Sequence, residues 1–298
     1  MTLELIAPAK LNLALEVISR RADGYHEVAS LMQTIDLADR VRLTEAEDIE
    51  LSIAGDMVLN VPSEGPRNLA YAAAVAMREV SGRSDLGVRI QLEKNIPAGA
   101  GLGGGSSDAA AVLRGLNQLW GLNHNVMLLE SLAQRLGSDV TFFLHGGTAL
   151  VSGRGERVEE LPDAGVTDFT LFVSPVEIED KTRVMYSMIT PADFTDGRRA
   201  QVAAESVRRG LALAETDYVN AFDRHVSQAV PPMGRAMQYC RDAGLAVIAS
   251  GSGPGFFSPV APNDIRRLVL THLEREYDVA AIACRSLTRA EAMAVREV

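Results

Sequence analysis

The sequence has little with which to cross-link itself, neutralise a nucleic-acid backbone or cross a membrane. Its two cysteines, Cys240 and Cys284, lack CxxC spacing and neighbouring histidines. Neither a disulfide framework nor a zinc site is indicated, and both read as buried thiols. Aromatic residues make up 5% of the chain, with a single tryptophan. Lys and Arg (29) are outnumbered by Asp and Glu (39), for a formal charge of −10. Such a balance repels a nucleic-acid backbone, so no DNA or RNA partner is expected. A phosphorylated small molecule remains compatible, because local N–H groups and one or two cations bind phosphate whatever the global charge. No window approaches the ~18 uninterrupted apolar residues of a membrane helix, and MTLELIAPAK has no signal-peptide pattern. The expected place is the cytoplasm, with no membrane partner, and the sequence leaves a monomer and a homodimer both open.

What is present is an ordinary globular composition, 47% hydrophobic and 23% charged over 298 residues. That length exceeds the usual single core, so two domains are expected, residues 1–161 and 162–298. Alternating patterns predict strands over 3–6, 11–18, 27–35, 40–45 and 49–54. A helix follows over 68–80, capped by Asn68, then a strand over 87–93. Further helices are predicted over 106–119 and 126–136, and a hairpin over 146–161. The remainder reads as strand 169–174, helices 182–188, 201–215 and 233–243, strands 246–250 and 255–259, helix 263–277 and strand 280–286. This is an α+β order resembling an elaborated β-α-β-β-α-β unit. No internal repeat or low-complexity tract is found.

The most informative stretch runs from Pro97 to Asp108, PAGAGLGGGSSD, where Gly99, Gly101, Gly103, Gly104 and Gly105 fall between a strand and a helix. Glycines so dense cost chain entropy, and a plain turn seldom needs them. They let backbone N–H groups converge on an anion, to which the following helix start adds partial positive charge. Gly99-x-Gly101-x-x-Gly104 formally matches a dinucleotide fingerprint, but the chain about 20 residues on is helical rather than a strand ending in an acid. There is no GxxxxGK[ST], HRD or DFG signature either. Ser106 and Ser107 suit a helix cap and, compatibly, a contact to a β-phosphate or to Mg²⁺.

This loop resembles the Pro-x-x-x-Gly-Leu-Gly-Ser-Ser motif of the GHMP kinase superfamily. Ala7-Pro-Ala-Lys-Leu-Asn12 resembles that superfamily's first motif, and Ser250-Gly-Ser-Gly-Pro254 its third. The block Arg20-Arg-Ala-Asp-Gly-Tyr-His26 is similar to one carried by a branch that phosphorylates a cytidine diphosphate-linked alcohol in isoprenoid precursor biosynthesis by the non-mevalonate route. Homoserine, mevalonate and galactose kinases do not normally carry that block. The resemblance implies a two-domain α+β GHMP fold, with an N-terminal domain like domain 2 of ribosomal protein S5 and a ferredoxin-like C-terminal domain. It implies ATP and Mg²⁺ as cofactors, and an alcohol acceptor carrying a cytidine diphosphate handle.

Carried over residue by residue, the resemblance makes Asp139 in LGSDV the catalytic aspartate and Lys10 the lysine that bonds the acceptor hydroxyl and that carboxylate. Asn12 alternates onto the face of Lys10 and is a candidate substrate contact. Tyr25 and His26 match a cytosine site, one stacking and one reading the polar edge, with Tyr186 as the candidate for the opposite ring face. Pro97, Gly99, Gly101, Gly103, Gly104, Gly105, Ser106 and Ser107 would hold the nucleotide, Asn68 and Lys94 would lie near its adenine, and Ser107 would also touch the metal. Against these stand blander roles: a turn aspartate, a strand-edge lysine and an exposed hairpin tyrosine. Two rival functions remain, another GHMP activity of the homoserine or mevalonate type and a non-catalytic binding protein on the same fold.

Overall fold

Two long strands organise the fold in the computed structural model, which describes residues 1–55, 65–175 and 180–298. β1 (Thr2–Arg20) and β2 (His26–Ala46) pair antiparallel almost end to end. The pattern predicts two shorter strands for each. They run on as one because register shifts at Pro8/Ala9, Asn12/Ala14 and Val17/Ser19 absorb the interruptions as bulges. β3 (Ile49–Ala54) comes next, then α1 (Leu69–Ser81), where Asn68 Oδ1 accepts the N–H groups of Ala70 at 2.9 Å and Tyr71 at 3.4 Å. β4 (Gly87–Glu93) lies between β2 and β3.

α2 (Gly104–Leu119) begins two residues before the predicted start. Its cap is Gly103, in the left-handed region at φ 75° with no side-chain cap bond, so Ser106 and Ser107 sit inside the first turn and do not cap the helix. α3 (Val126–Leu136) matches its prediction, while α4 (Val140–His145) is too short to show a helical period. β5 (Thr148–Gly153) and β6 (Arg157–Glu160) form the expected hairpin, with β5 paired to β2.

The rest of the chain runs β7 (Asp168–Val173), α5 (Lys181–Ser187), α6 (Arg198–Arg208), β8 (Val219–Asn220), α7 (Asp223–Ala229), α8 (Pro231–Asp242), β9 (Ile248–Ala249), β10 (Phe256–Ser258), α9 (Arg267–Tyr277), β11 (Ala280–Arg285), α10 (Arg289–Ala292) and β12 (Val295–Glu297). The predicted helix 201–215 stops at Arg208 because Gly210 turns left-handed at φ 68° and closes the end. Strands β11, β7, β10 and β9 make a second sheet in that order. The chain's end returns to the first sheet, where β12 pairs antiparallel and β8 parallel with β1.

One core lies between the first sheet and α1 to α4, with Leu5, Leu43 and Ile90 against Ala73, Met77 and Leu116. Another joins Leu11, Leu13 and Leu31 of the first sheet to Phe169, Leu171 and Phe257 of the second, and it includes Ala100 and Leu102 of the glycine stretch. Burying one leucine is worth roughly 1.5–3 kcal/mol. Leu102 thus anchors an otherwise glycine-rich segment to the interior. Among the described residues no helix is long and apolar enough to cross a membrane.

Candidate active site

The segment between β4 and α2 borders a cleft of about 1330 Å³. That exceeds the ~300–1,000 Å³ of an ordinary single-ligand pocket and leaves room for two ligands. Two hydrogen bonds and one close backbone approach hold the segment from below. Lys10 N–H donates to Leu102 O at 3.0 Å, Ser250 Oγ donates to Gly101 O at 3.4 Å, and a Cβ built on Gly255 would stand 2.7 Å from Ala100 O. The turn over 250–254 therefore packs on the loop, and a side chain at Gly101 would collide with Ser250 O. Gly103 is as constrained, since its Cβ would lie 2.8 Å from the Phe143 ring. The N-cap Gly103 offers no side chain to cap α2, so the first N–H groups of the helix have the chemistry to bind an anion.

Pro97, Gly99, Gly101, Gly103, Gly104, Gly105 and Ser106 all line this cleft. Ser107 does not. Its hydroxyl is buried and has no partner among the described residues, and of the two serines Ser106 is the one that lines the cleft.

Beside the loop, β1 brings Lys10 and Asn12 onto one face. Lys10 Nζ donates to Asn12 Oδ1 at 2.5 Å, Asn12 Nδ2 donates to Ser30 Oγ at 2.7 Å, and Ser30 Oγ donates to Ala14 O at 2.7 Å. Asp139, at the start of α4, presents Oδ2 3.8 Å from Lys10 Nζ and is 38% exposed. Burial pulls the Lys10 ammonium below the ordinary lysine value, against the raising effect of Asp139. A cation that is costly to charge thus faces a solvent-accessible carboxylate.

The turn between β1 and β2 carries Tyr25 and His26 into the same cleft. Tyr25 is 51% exposed, with the Arg154 guanidinium 5.0 Å above its ring centroid. His26 is buried. Its ring stacks on Tyr186 at 5.1 Å and 29°, and Phe194 approaches edgewise at 6.4 Å. Burial, and then the Arg20 charge, lower the His26 pKa and so favour the neutral imidazole. Tyr186, expected across a base from Tyr25, meets His26 instead and rests edge-on against Phe222 at 4.8 Å.

Asn68 caps α1 and lines the cleft. Lys94 also borders it, but its ammonium is held by two buried carboxylates, Asp39 and, at 2.5 Å, Asp108. Asp39 Oδ1 accepts in turn from the N–H groups of Asn95 at 2.6 Å and Ile96 at 2.8 Å. Asp108 is raised to about 7, chiefly by burial, with Lys94 pulling down and Asp39 pushing up. The cluster ties β2, β4 and α2 together directly beneath the loop.

Sequence reasoning does not find Asp39, Asp108 as part of this cluster, Phe194 or Lys181. Lys181, at the start of α5, donates to Gly99 O at 2.8 Å. A pattern of residue types gives no signal for such pairs, which are distant in sequence and belong to no motif. Among the remaining histidines, His225 is buried against Asp193 at 2.9 Å and His145 lies between Glu130 and Glu160. Among the described residues no group of three His, Cys, Asp or Glu could hold a metal ion.

A helix-capping glycine loop facing a lysine and an aspartate defines the class as a small-molecule kinase, and the comparisons agree. Residues 68–147 match the family model described as GHMP kinases N terminal domain. A curated 4-diphosphocytidyl-2-C-methyl-D-erythritol kinase of Synechococcus sp. (strain CC9605) is 39% identical over 90% of this chain and 92% of its own length. One from Dehalococcoides mccartyi (strain ATCC BAA-2100 / JCM 16839 / KCTC 5957 / BAV1) is 36% identical over 86% of this chain and 88% of its own. A crystal structure of 4-(cytidine 5'-diphospho)-2C-methyl-D-erythritol kinase superposes with TM-score 0.74 at 35% identity, covering 95% of this chain and 98% of that one. A homoserine kinase from Cytophaga hutchinsonii reaches TM-score 0.73 at 19% identity, covers 99% of this chain and 97% of its own, and shares the fold alone. The chain belongs to the 4-diphosphocytidyl-2-C-methyl-D-erythritol kinase family, within the ATP-dependent GHMP kinases.

Proposed function

We propose that this kinase transfers the γ-phosphoryl group of ATP to the 2-hydroxyl of 4-diphosphocytidyl-2-C-methyl-D-erythritol, giving the 2-phosphate and ADP in isoprenoid precursor biosynthesis. The observation that carries the reading is the placement of Lys10, Asn12 and Asp139 between the glycine loop and the His26–Tyr186 pair within one cleft. The one cleft thus combines chemistry for phosphates, for an uncharged base and for the reacting hydroxyl.

Phosphoryl transfer is mainly positioning and charge stabilisation. The loop N–H groups and the α2 start hold the phosphates of ATP. Asp139 orients the acceptor hydroxyl and receives its proton. The ammonium of Lys10, steadied by Asn12, bonds the same hydroxyl oxygen and offsets the negative charge that develops there. Tyr25 stacks on the cytosine, while His26, backed by Tyr186 and Phe194, reads its edge.

Mg²⁺ fits this site as a metal carried by the nucleotide. Such an ion keeps several waters and substrate phosphates, needs few protein oxygens, and finds the Ser106 hydroxyl on the cleft wall. When bound it neutralises phosphate charge. ADP release measured against a panel of alcohols tests the reading. Release with the cytidylyl alcohol supports it, whereas release only with homoserine or mevalonate removes it.

A further inference from the structure

Lys181 occupies an unusual position for a lysine at a helix start. It is half-buried, borders the same cleft as Lys10 and Asp139, and gives its hydrogen bond to the neutral carbonyl of Gly99 in the phosphate loop, 2.8 Å away. The carboxylate beside it in sequence, Asp180, is occupied by Arg183, whose Nη2 lies 2.8 Å and Nε 3.2 Å away. Among the described residues Lys181 itself has no salt bridge. Two side-chain amines, Lys10 from β1 and Lys181 from α5, therefore border one cleft, where among the described residues Asp139 is the carboxylate that acts on both. Like charges brought together in a partly dehydrated place are unfavourable unless an anion arrives.

We propose that Lys181 is a second phosphate-binding cation of the phosphoryl-transfer site, which leaves the Gly99 carbonyl and pairs with the terminal phosphates of the nucleotide when these enter the loop. The side chain reaches from the C-terminal half of the chain onto the loop of the N-terminal half, so the same contact joins the two walls of the cleft around the nucleotide. The proposal rests on the reading of this cleft as an ATP site.

A proton linkage follows. Burial, together with Lys10 and against Asp139, holds Lys181 down to about 7 without ligand. Arg183 and Asp180 flank it on its own element and neutralise each other. Incoming phosphate favours the charged amine and raises its pKa. Below pH about 7 the amine is charged in both states and binding takes up no proton; above it the free protein has lost the proton and binding must restore it. Nucleotide affinity therefore declines as pH rises above about 7.

The test is calorimetric titration of the full chain with MgATP at about pH 8 and about pH 6, in pairs of buffers of different ionisation enthalpy, together with steady-state turnover. Wild type is expected to take up a large fraction of one proton per nucleotide at the higher pH and almost none at the lower. Lys181→Gln abolishes the uptake and lowers kcat/KM for ATP by roughly 10–100-fold, as expected for loss of a charged phosphate contact. Lys181→Arg, charged in both states, also abolishes the uptake but keeps turnover above that of Lys181→Gln. Equal uptake in wild type and Lys181→Gln, or turnover undiminished in Lys181→Gln, overturns the proposal while leaving the ATP site standing. Failure of wild type to bind MgATP at all overturns both.

Discussion

Lys10 lies between two oxygens of unequal closeness, Asn12 Oδ1 at 2.5 Å and Asp139 Oδ2 at 3.8 Å. Asn12 is fixed by Ser30, whereas the Asp139 carboxylate is partly open to solvent. The lysine is thus positioned by the amide and poised toward the carboxylate. An acceptor hydroxyl entering between Lys10 and Asp139 would meet a donor and an acceptor at once.

Replacing Asp139 with Asn keeps the shape and removes the carboxylate proposed to accept the hydroxyl proton. Turnover is expected to fall roughly 10²–10⁴-fold while MgATP still binds, because the phosphate loop is untouched. Single-turnover kinetics with parallel nucleotide titration check this. Near-normal turnover would exclude Asp139 from the chemistry.

The loop glycines differ in what they tolerate. A Cβ at Gly99 meets nothing within 4 Å, whereas one at Gly103 stands 2.8 Å from Phe143 and 3.4 Å from Lys10 Cγ, and both residues have positive φ. Gly99→Ala should cost only the backbone strain, on the order of 1 kcal/mol. Gly103→Val should displace Phe143 and Lys10, abolish measurable nucleotide binding and lower Tm. The pair is compared by calorimetry and thermal unfolding; equal behaviour would contradict the difference in packing.

Asp39 carries no exposed surface and binds Lys94 together with two backbone N–H groups. Asp39→Asn leaves Lys94 paired with Asp108 and weakens the charged hydrogen bonds that Asp39 makes, a loss of about 1.5–3 kcal/mol. Urea unfolding should show that loss. A midpoint unchanged from wild type would mean that the cluster is not what holds the loop's underside.

At the other end of the cleft, Tyr25→Ala should cost on the order of 1–3 kcal/mol in kcat/KM for the cytidylyl substrate, the usual worth of one base stacked on an aromatic ring. Tyr186→Ala, which takes away the ring against His26, should raise KM for that substrate and leave KM for ATP unchanged. A shift in KM for ATP instead would place these rings at the nucleotide.

The glycine loop, the Asn68 cap and the helix over 126–136 were legible because each rests on local chemistry: conformational freedom, a side-chain acceptor and a repeated apolar face. β1 and β2 were legible in kind but not in length, since bulges such as the one at Asn12/Ala14 carry no residue signature. α4 was hidden by its brevity, and β12 because its pairing with Leu3–Leu5 depends on partners almost the whole chain away. In the candidate site, Lys10 and Asp139, expected from the motifs to pair, lie 3.8 Å apart. Asp39 and Lys181 could not be named from the sequence, because one acts through a cluster assembled from three elements and the other through a single carbonyl of a distant loop. Ser107 shows the converse: a motif residue of the right type turned into the interior by the helical phase of α2.

The most direct measurement is kcat/KM for 4-diphosphocytidyl-2-C-methyl-D-erythritol against 2-C-methyl-D-erythritol 4-phosphate, homoserine and mevalonate, with wild type and Tyr25→Ala. Binding energy from the remote cytidylyl group helps to position the reacting hydroxyl, so its removal should depress turnover as well as affinity. The cytidylyl alcohol is predicted to be the best substrate by a wide margin, and Tyr25→Ala to reduce that margin without changing the others. Homoserine or mevalonate as the better substrate, or a silent Tyr25→Ala, would contradict the assignment of that end of the cleft to a cytidine diphosphate.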